Sequence, residues 1–264
     1  MEYQCLEIEI RDRVGILSLN RPDSLNALTP RLVEELLHAT RDLPRHCRAM
    51  ILTAKGRFFC SGASLDPAEP LSPLTNNPAE RDLGKIVEDK LNPLINQLRD
   101  LPIPWISAIR GGAAGYGASL ALAADMVVTT EGSYFAQIFS RIGLVPDGGS
   151  THLLTRNIGR VRTMEMLLLG EKLPADKALA WGLVNRVVST DELEEEAFAL
   201  ALRLANGPSQ SLAMIRNAVW AAVDGDWQSN LDNERNMQRT AGRHPDFDEG
   251  VAAFLEKRPP KFGQ

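Results

Sequence analysis

Cysteine, positive charge and long apolar runs are all scarce in this chain, and each shortage closes off a class of protein. Three cysteines (Cys5, Cys47, Cys60) make an odd number with no CxxC spacing, which argues against a disulfide framework or a thiolate zinc site and for a reducing compartment. Lys and Arg number 29 against 34 Asp and Glu, for a formal charge of -5. No broad basic surface exists to hold a phosphate backbone, so no nucleic-acid partner is expected. No stretch reaches the ~18 apolar residues of a membrane span. The segment "EYQCLEIEIRDR" after Met1 lacks the basic start and apolar block of a signal peptide. A cytoplasmic protein without a membrane partner is the expectation. His38, His46, His152 and His244 stand without a partner at metal or triad spacing, so no metal site is expected and they read as surface or packing residues. What the chain does have is 44% hydrophobic residues over 264 positions, enough for a sizeable core without covalent staples.

Alternation of apolar and polar residues predicts a hairpin from "YQCLEIEI" and "VGILSLN", with its turn at Arg11 to Arg13. The stretch "TPRLVEELLHATRDL" has Thr29 as a cap and Pro30 at the first helical position, and puts Leu32, Leu36 and Leu43 on one side. "AMILTA" (49–54) reads as a strand buried on both faces, followed by the turn-rich "KGRFFCSGAS" and a Pro-rich loop from Pro67 to Pro78, expected to be mobile. Helical periodicity returns from Glu80 to Leu101. "PWISAI" and "DMVVTT" then give two buried strands around the glycine-rich "RGGAAGYGASLALAA". Strand alternating with helix implies βαβ units and an α/β fold. From Gly148 onward the pattern is helical, with only "NRVV" (185–188) extended. The simplest division is a core over residues 1–200 and a helical extension over 201–264. Trp220, Trp227, Met237, Phe247 and Phe254 predict subunit contact there, or equally an intrachain core.

Three segments could carry chemistry. "GGAAGYG" (111–117) lies between a strand and a helix, where backbone N–H groups favour negative charge. Its spacing fits neither the dinucleotide fingerprint nor a P-loop. Glycines that only let a helix pack closely on a strand would give the same pattern. "FFCSGASLD" (58–66) is a second small-residue turn after a buried strand, able to aim N–H groups at a ligand. Third, Asp147 in "GLVPDGGSTHLL" stands where a helix begins, five positions before His152. Spacing favours a helix cap over a catalytic acid.

Taken together, "LNRPDSLNAL" (19–28), "GRFFCSGASL" (56–65), "GGAAGYGASLALAADMVV" (111–128), "GLVPDGGSTHLLTRNIG" (143–159) and "AWGLVNRVV" (180–188) resemble the crotonase, or enoyl-CoA hydratase/isomerase, superfamily. The tail "AGRHPDFDEGVAAFLEKRPPKF" (241–262) resembles that superfamily's C-terminal helices. The resemblance implies a ββα superhelix core with a helical C-terminal extension that forms trimers, often paired into hexamers. It implies a CoA-thioester substrate, with coenzyme A as part of that substrate and no separate cofactor. Two backbone N–H groups would hold the thioester oxygen as an enolate forms, and by position these belong to Ala63 and Tyr116. Tyr116 stands where the superfamily often has glycine, so only its backbone carries the role. Ser64, Leu65 and Asp66 would border the acyl-CoA, Leu25 and Ala27 would flank the adenine, Phe139 would touch the substrate, and Lys257 or Lys261 would approach the CoA phosphates.

The superfamily's hydratases use two glutamates, and at the matching positions this chain has Ser119 and Phe139, neither of which can act as a base. Asp147 falls where ring 1,2-epoxyphenylacetyl-CoA isomerases and Δ3,Δ2-enoyl-CoA isomerases carry an essential aspartate. The resemblance therefore implies an acyl-CoA isomerase with Asp147 as acid and base. Three other readings stay open: enoyl-CoA hydration, hydrolysis or dehalogenation with Asp147 as nucleophile, and CoA-thioester binding without turnover. Burial near Phe139, Leu144 and Val145 is expected to raise the proton affinity of Asp147, while the helix start at Gly148 lowers it.

Overall fold

The expected hairpin opens the fold in the computed structural model of the chain, which describes residues 1–72 and 77–263. β1 (Leu6–Arg11) and β2 (Val14–Leu19) pair antiparallel. Every later pairing in this sheet is parallel, through β3 (Ala49–Ala54), β4 (Trp105–Ile109), β6 (Met126–Thr130) and β9 (Arg186–Val188), in the order β1-β2-β3-β4-β6-β9. A second sheet joins β5 (Gly112–Ala114), β7 (Tyr134–Ala136) and β8 (Lys172–Pro174). Its strands have three residues each, too short to leave a readable period.

The buried strands explain themselves residue by residue. Met50 and Leu52 of β3 point into one core with Trp105 and Ile109 of β4, while Ala49 and Ile51 point into the other with Ile106 and Ala108. The first core is closed by α1 (Pro30–Asp42) and α3 (Asn92–Arg99) through Leu32, Leu36, Leu94 and Leu98. The second lies under α7 (Leu193–Ala205), through Ala197, Leu200 and Ala201. A strand covered on both faces has no polar side, hence "AMILTA".

Thr29 caps α1 as predicted, accepting from Leu32 N at 3.3 Å. The helical stretch after Glu80 is interrupted: α2 (Leu83–Ile86) passes through a π-turn over Val87–Leu91 into α3. The middle of the expected Pro67–Pro78 loop, residues 73–76, lies outside the described residues. α4 (Tyr116–Leu122) follows β5, α5 (Ser150–Leu169) kinks at Gly159, and α6 (Ala175–Ala180) precedes β9. Among the described residues no helix is long and apolar enough to cross a membrane.

α7 runs across residue 200 with buried residues at both ends, Leu193 and Ala205. Beyond it the chain buries far less. α8 (Ser209–Asp224) buries only Arg216, and α9 (Trp227–Ala241) buries nothing. Arg216 fixes α8 to the core: its Nε donates to Asp125 at 2.6 Å, and its other nitrogens donate to the carbonyls of Leu98, Arg99 and Leu101, where α3 ends. One guanidinium thus meets both the carbonyls at and just past the end of α3 and the Asp125 carboxylate. α10 (Pro245–Glu256) closes the chain.

Candidate active site

The segments after β3, β5 and β7 meet at one end of the sheet. Asn26 ties the first of them down: its Nδ2 donates to the carbonyls of Lys55 (3.0 Å) and Phe58 (2.7 Å), and its Oδ1 accepts from Arg21 N at 2.8 Å. To do so, Leu25 and Asn26 both take left-handed backbone, φ 52° and 53°. Ser61 N then donates to Leu25 O (3.1 Å), Leu28 N to Gly62 O (2.8 Å) and Ser64 N to Leu28 O (2.8 Å). These bonds set Leu25 and Ala27 beside Ser61–Ser64. They use the amides on either side of the Leu28–Ala63 bridge, which turns the N–H of Ala63, an exposed residue, to the opposite side. Ser64 is buried, Leu65 and Asp66 are exposed, and Asp66 Oδ1 accepts from Ala68 N at 2.9 Å.

The glycine-rich segment lies against that turn. Ala114 N donates to Cys60 O at 2.9 Å and Gly115 N to Ala136 O at 2.8 Å. Gly115, at φ 52° and ψ -130°, then swings the chain into α4. Tyr116 is the first residue of α4, and the opening amides of a helix have no acceptor within it. A Cβ on Gly62 would stand 2.9 Å from Ala114 O and 3.5 Å from Tyr116 N, so the two turns are in contact at the residues preceding Ala63 and Tyr116. The close-packing reading of the glycines is seen directly. Gly117 admits close packing, since a Cβ there would meet Cys60 O at 2.4 Å, while the segment still delivers an opening amide. The Tyr116 phenol is buried and donates to Leu91 O at 2.8 Å. Burial first, and the Asp147 charge second, hold its pKa well above the usual phenol range. Phe139 is buried, its ring 3.9 Å from where a Gly115 Cβ would be.

Asp147 is not a cap. α5 begins behind Gly149, at φ 73°, with no side-chain cap bond. The Asp147 carbonyl accepts from Ser150 N (3.2 Å), Ser150 Oγ (2.9 Å) and Ser119 Oγ (3.1 Å). Its carboxyl Oδ1 is buried with no hydrogen-bond partner among the described residues. Burial raises the carboxyl pKa from 3.8 to about 6, opposed only by its own backbone amide. The expected shielding by Leu144 and Val145 does not occur within the chain, because these side chains are 40% and 81% exposed. Instead the loop presses on α4: a Cβ on Gly148 would lie 2.8 Å from Ser119 Cβ and 3.0 Å from the Tyr116 ring.

Other residues lie apart. His152 Nε2 is 3.3 Å from Asp224 Oδ1, so its partner is on α8. His38 meets the Tyr3 hydroxyl at 2.8 Å, His46 lies 3.6 Å from Asp42, and His244 accepts from Asp246 N at 3.2 Å. A cavity of about 240 Å³ lined by Ile95, Arg99, Gly149, His152 and Trp220 shares the Asp147 loop, yet Asp147, Ala63 and Tyr116 are absent from its walls. Lys257 is an exposed left-handed C-cap and Lys261 N donates to Glu249 at 2.6 Å. The tail beyond them bonds Arg48 through Gly263 O at 3.0 Å. Arg48 precedes β3, which runs roughly 20 Å towards the segment that holds Ala63. Sequence reasoning missed Asn26, whose signal was a turn-forming residue inside "SLNAL". It also missed Gln137, the one amide among the apolar residues of "YFAQIFS".

The family model for enoyl-CoA hydratase/isomerase matches residues 9–264. A 1,2-epoxyphenylacetyl-CoA isomerase of Escherichia coli K12 is 41% identical over 253 residues, covering 94% of each chain. A protein of Rhodobacter capsulatus named "Probable enoyl-CoA hydratase" is 38% identical over 99% of both. The crystal structure of an enoyl-CoA hydratase from Bacillus anthracis superposes with a TM-score of 0.90 at 29% identity, covering 98% of this chain and 99% of that one. With its mixed α/β core, its helical C-terminal region and this match across almost its whole length, the chain belongs to the enoyl-CoA hydratase/isomerase family and has the crotonase fold.

Proposed function

We propose that this enzyme isomerises unsaturated acyl-CoA thioesters, moving a double bond from the 3 to the 2 position with Asp147 as its one acid and base. The observation that carries the reading is the Asp147 carboxyl, buried and without a partner on Oδ1 among the described residues, so that burial pushes its pKa up to about 6. In the proposed reaction the thioester oxygen accepts from Ala63 N–H and Tyr116 N–H. Asp147 takes a proton from C2, the charge spreads onto the thioester oxygen and, through the C3–C4 double bond, onto C4, and the neutral acid returns the proton at C4, which leaves the double bond between C2 and C3. The C2 proton is acidified by both the thioester and the alkene, so a carboxylate with a raised pKa suffices once the oxyanion is held. Each backbone donor is worth ~3 to 4 kcal/mol in such a site. Leu25, Ala27, Ser64, Leu65, Asp66 and Phe139 border the substrate, and coenzyme A enters as part of it. Isomerisation of a ring-epoxide acyl-CoA is a second reading, favoured by the name of the Escherichia coli relative.

The proposal extends to assembly. Trp227, Phe247, Phe254 and Leu255 are 78%, 54%, 83% and 73% exposed, a concentration that supports a homotrimer or a hexamer. In that assembly Lys257 or Lys261 would approach the CoA of a neighbouring subunit. The chemistry is tested with 3-enoyl-CoA and crotonyl-CoA in heavy water, following double-bond position and C2 deuterium for the parent and Asp147→Asn. The expected result is isomerisation abolished in the variant and little hydration by the parent. Rapid hydration of crotonyl-CoA would favour a hydratase, a covalent Asp147 adduct would favour a nucleophile, and binding without C2 exchange would favour a non-catalytic protein.

A further inference from the structure

The carbonyl of Asp147 is crowded while Oδ1 of its carboxyl is unpartnered. Three donors converge on the main-chain oxygen at 2.9 to 3.2 Å, and Oδ1 has none among the described residues. One of the three is Ser119 Oγ, from a side chain with no solvent exposure. Behind it stands Gln137, equally buried, with Nε2 at 3.5 Å from Ser119 Oγ and with Oε1 unpartnered. A hydroxyl has one proton. Two carbonyls lie within its reach, Asp147 O at 3.1 Å and Gly115 O at 3.5 Å, and with the proton on the nearer of them Ser119 accepts from Gln137, which orients the amide. Ser150 supplies the other two bonds from within the loop's own helix, so Ser119 is the one of the three donors that ties the carbonyl to α4, and Gly148 and Gly149, at φ 61° and 73°, bring no side chains to help.

We infer that Ser119 and Gln137 are positioning residues for the proton transfer, the chain Gln137 Nε2, Ser119 Oγ, Asp147 O pinning the main chain of Asp147 to α4 so that the carboxyl, which no other residue holds at Oδ1, can pivot. The inference rests on the isomerase reading. A base that takes a proton at C2 and returns it at C4 must reach two carbons in turn. Anchored by hydrogen bonds to its carboxylate, it would serve one carbon and miss the other. Carried on a loose loop, it would lose the ~3 to 3.5 Å approach that proton transfer needs. A fixed main chain with a free carboxyl meets both demands.

The test uses Ser119→Ala, Gln137→Met and Asp147→Asn in the full chain, with 3-enoyl-CoA deuterated at C2 as substrate in ordinary water. Turnover, KM, the share of deuterium delivered to C4 and the thermal midpoint are read for each. For Ser119→Ala we expect kcat to fall ~10- to 100-fold, the range that misplacing a reacting group by about 1 Å produces. KM and thermal midpoint should stay near those of the parent, and the share of label reaching C4 should not rise. Gln137→Met should show the same split with a smaller loss, and it decides the matter if Ser119→Ala does not fold. Parental kcat in both variants, or a kcat loss matched by a proportional rise in KM and a lowered midpoint, overturns the inference. Isomerisation surviving in Asp147→Asn is a separate outcome that overturns the functional reading itself.

Discussion

Gly62 lies so close to the amide of Tyr116 that no side chain fits between them: a Cβ on Gly62 would stand 3.5 Å from the Tyr116 amide nitrogen and 2.9 Å from the carbonyl of Ala114. Gly62 also has φ 96°, a region that side chains strain to enter. Gly62→Ala must therefore push the turn away from α4 and move the Ala63 amide with it. We expect kcat/KM for 3-enoyl-CoA to fall by about 100-fold or more, the usual loss of one oxyanion donor. An unchanged kcat/KM would mean that the two amides do not act together.

Asp147→Asn removes the base while keeping the volume. Turnover should fall by about 10²- to 10⁴-fold, as for the loss of a positioned general base. In the parent, kcat/KM should rise with pH through about 6, where the carboxylate forms, and level off above it.

The same carboxyl makes stability run the other way. In the folded state its pKa is raised from 3.8 to about 6, so the folded chain binds this proton more tightly than the unfolded chain. Its contribution is lost as pH rises from 3.8 to about 6, and above that window the buried charge is a burden. Asp147→Asn should thus be inactive yet more resistant to urea than the parent at neutral pH, by on the order of 1–3 kcal/mol. Equal midpoints at pH 5 and pH 8 relative to the parent would contradict this.

Asn26→Ala deletes the donors to Lys55 O and Phe58 O and the acceptor for Arg21 N. It leaves those part-buried main-chain groups without this partner, for an expected loss of about 1–3 kcal/mol in urea unfolding. Residual folded enzyme should show a raised KM for acyl-CoA, since Leu25 and Ala27 are placed by the same turn.

Phe254→Glu puts a charge on the most exposed of the large C-terminal side chains, 83% exposed in the single chain. If that face meets another subunit, the variant should sediment as a smaller species than the parent. An unchanged sedimentation coefficient, with the parent itself a monomer, would overturn the proposed assembly.

Much of the fold could be read locally. Thr29 and Pro30 announce a helix start, and the unbroken apolar run of "AMILTA" announces a strand with two covered faces. Each depends on a few neighbouring residues. β5, β7 and β8 were invisible, because three-residue strands are defined by their partners and not by their own composition. The long helix expected after Glu80 hid its π-turn, since a shift in hydrogen bonding does not alter the apolar spacing enough to show.

The sequence by itself determined the family, the parallel sheet and the segments that meet around Asn26, Gly62 and Tyr116, because ordered motifs and hydrophobic periods are properties of the chain read in line. Whether Asp147 caps a helix or stands bare was decided only in three dimensions. Spacing pointed to a cap, but Ser119 and Ser150 take hold of its carbonyl, two left-handed glycines separate it from α5, and packing on α4 removes water from its carboxyl. Proton affinity and hydrogen-bond vacancy depend on what surrounds a group in space, and those surroundings come from segments far apart in the chain.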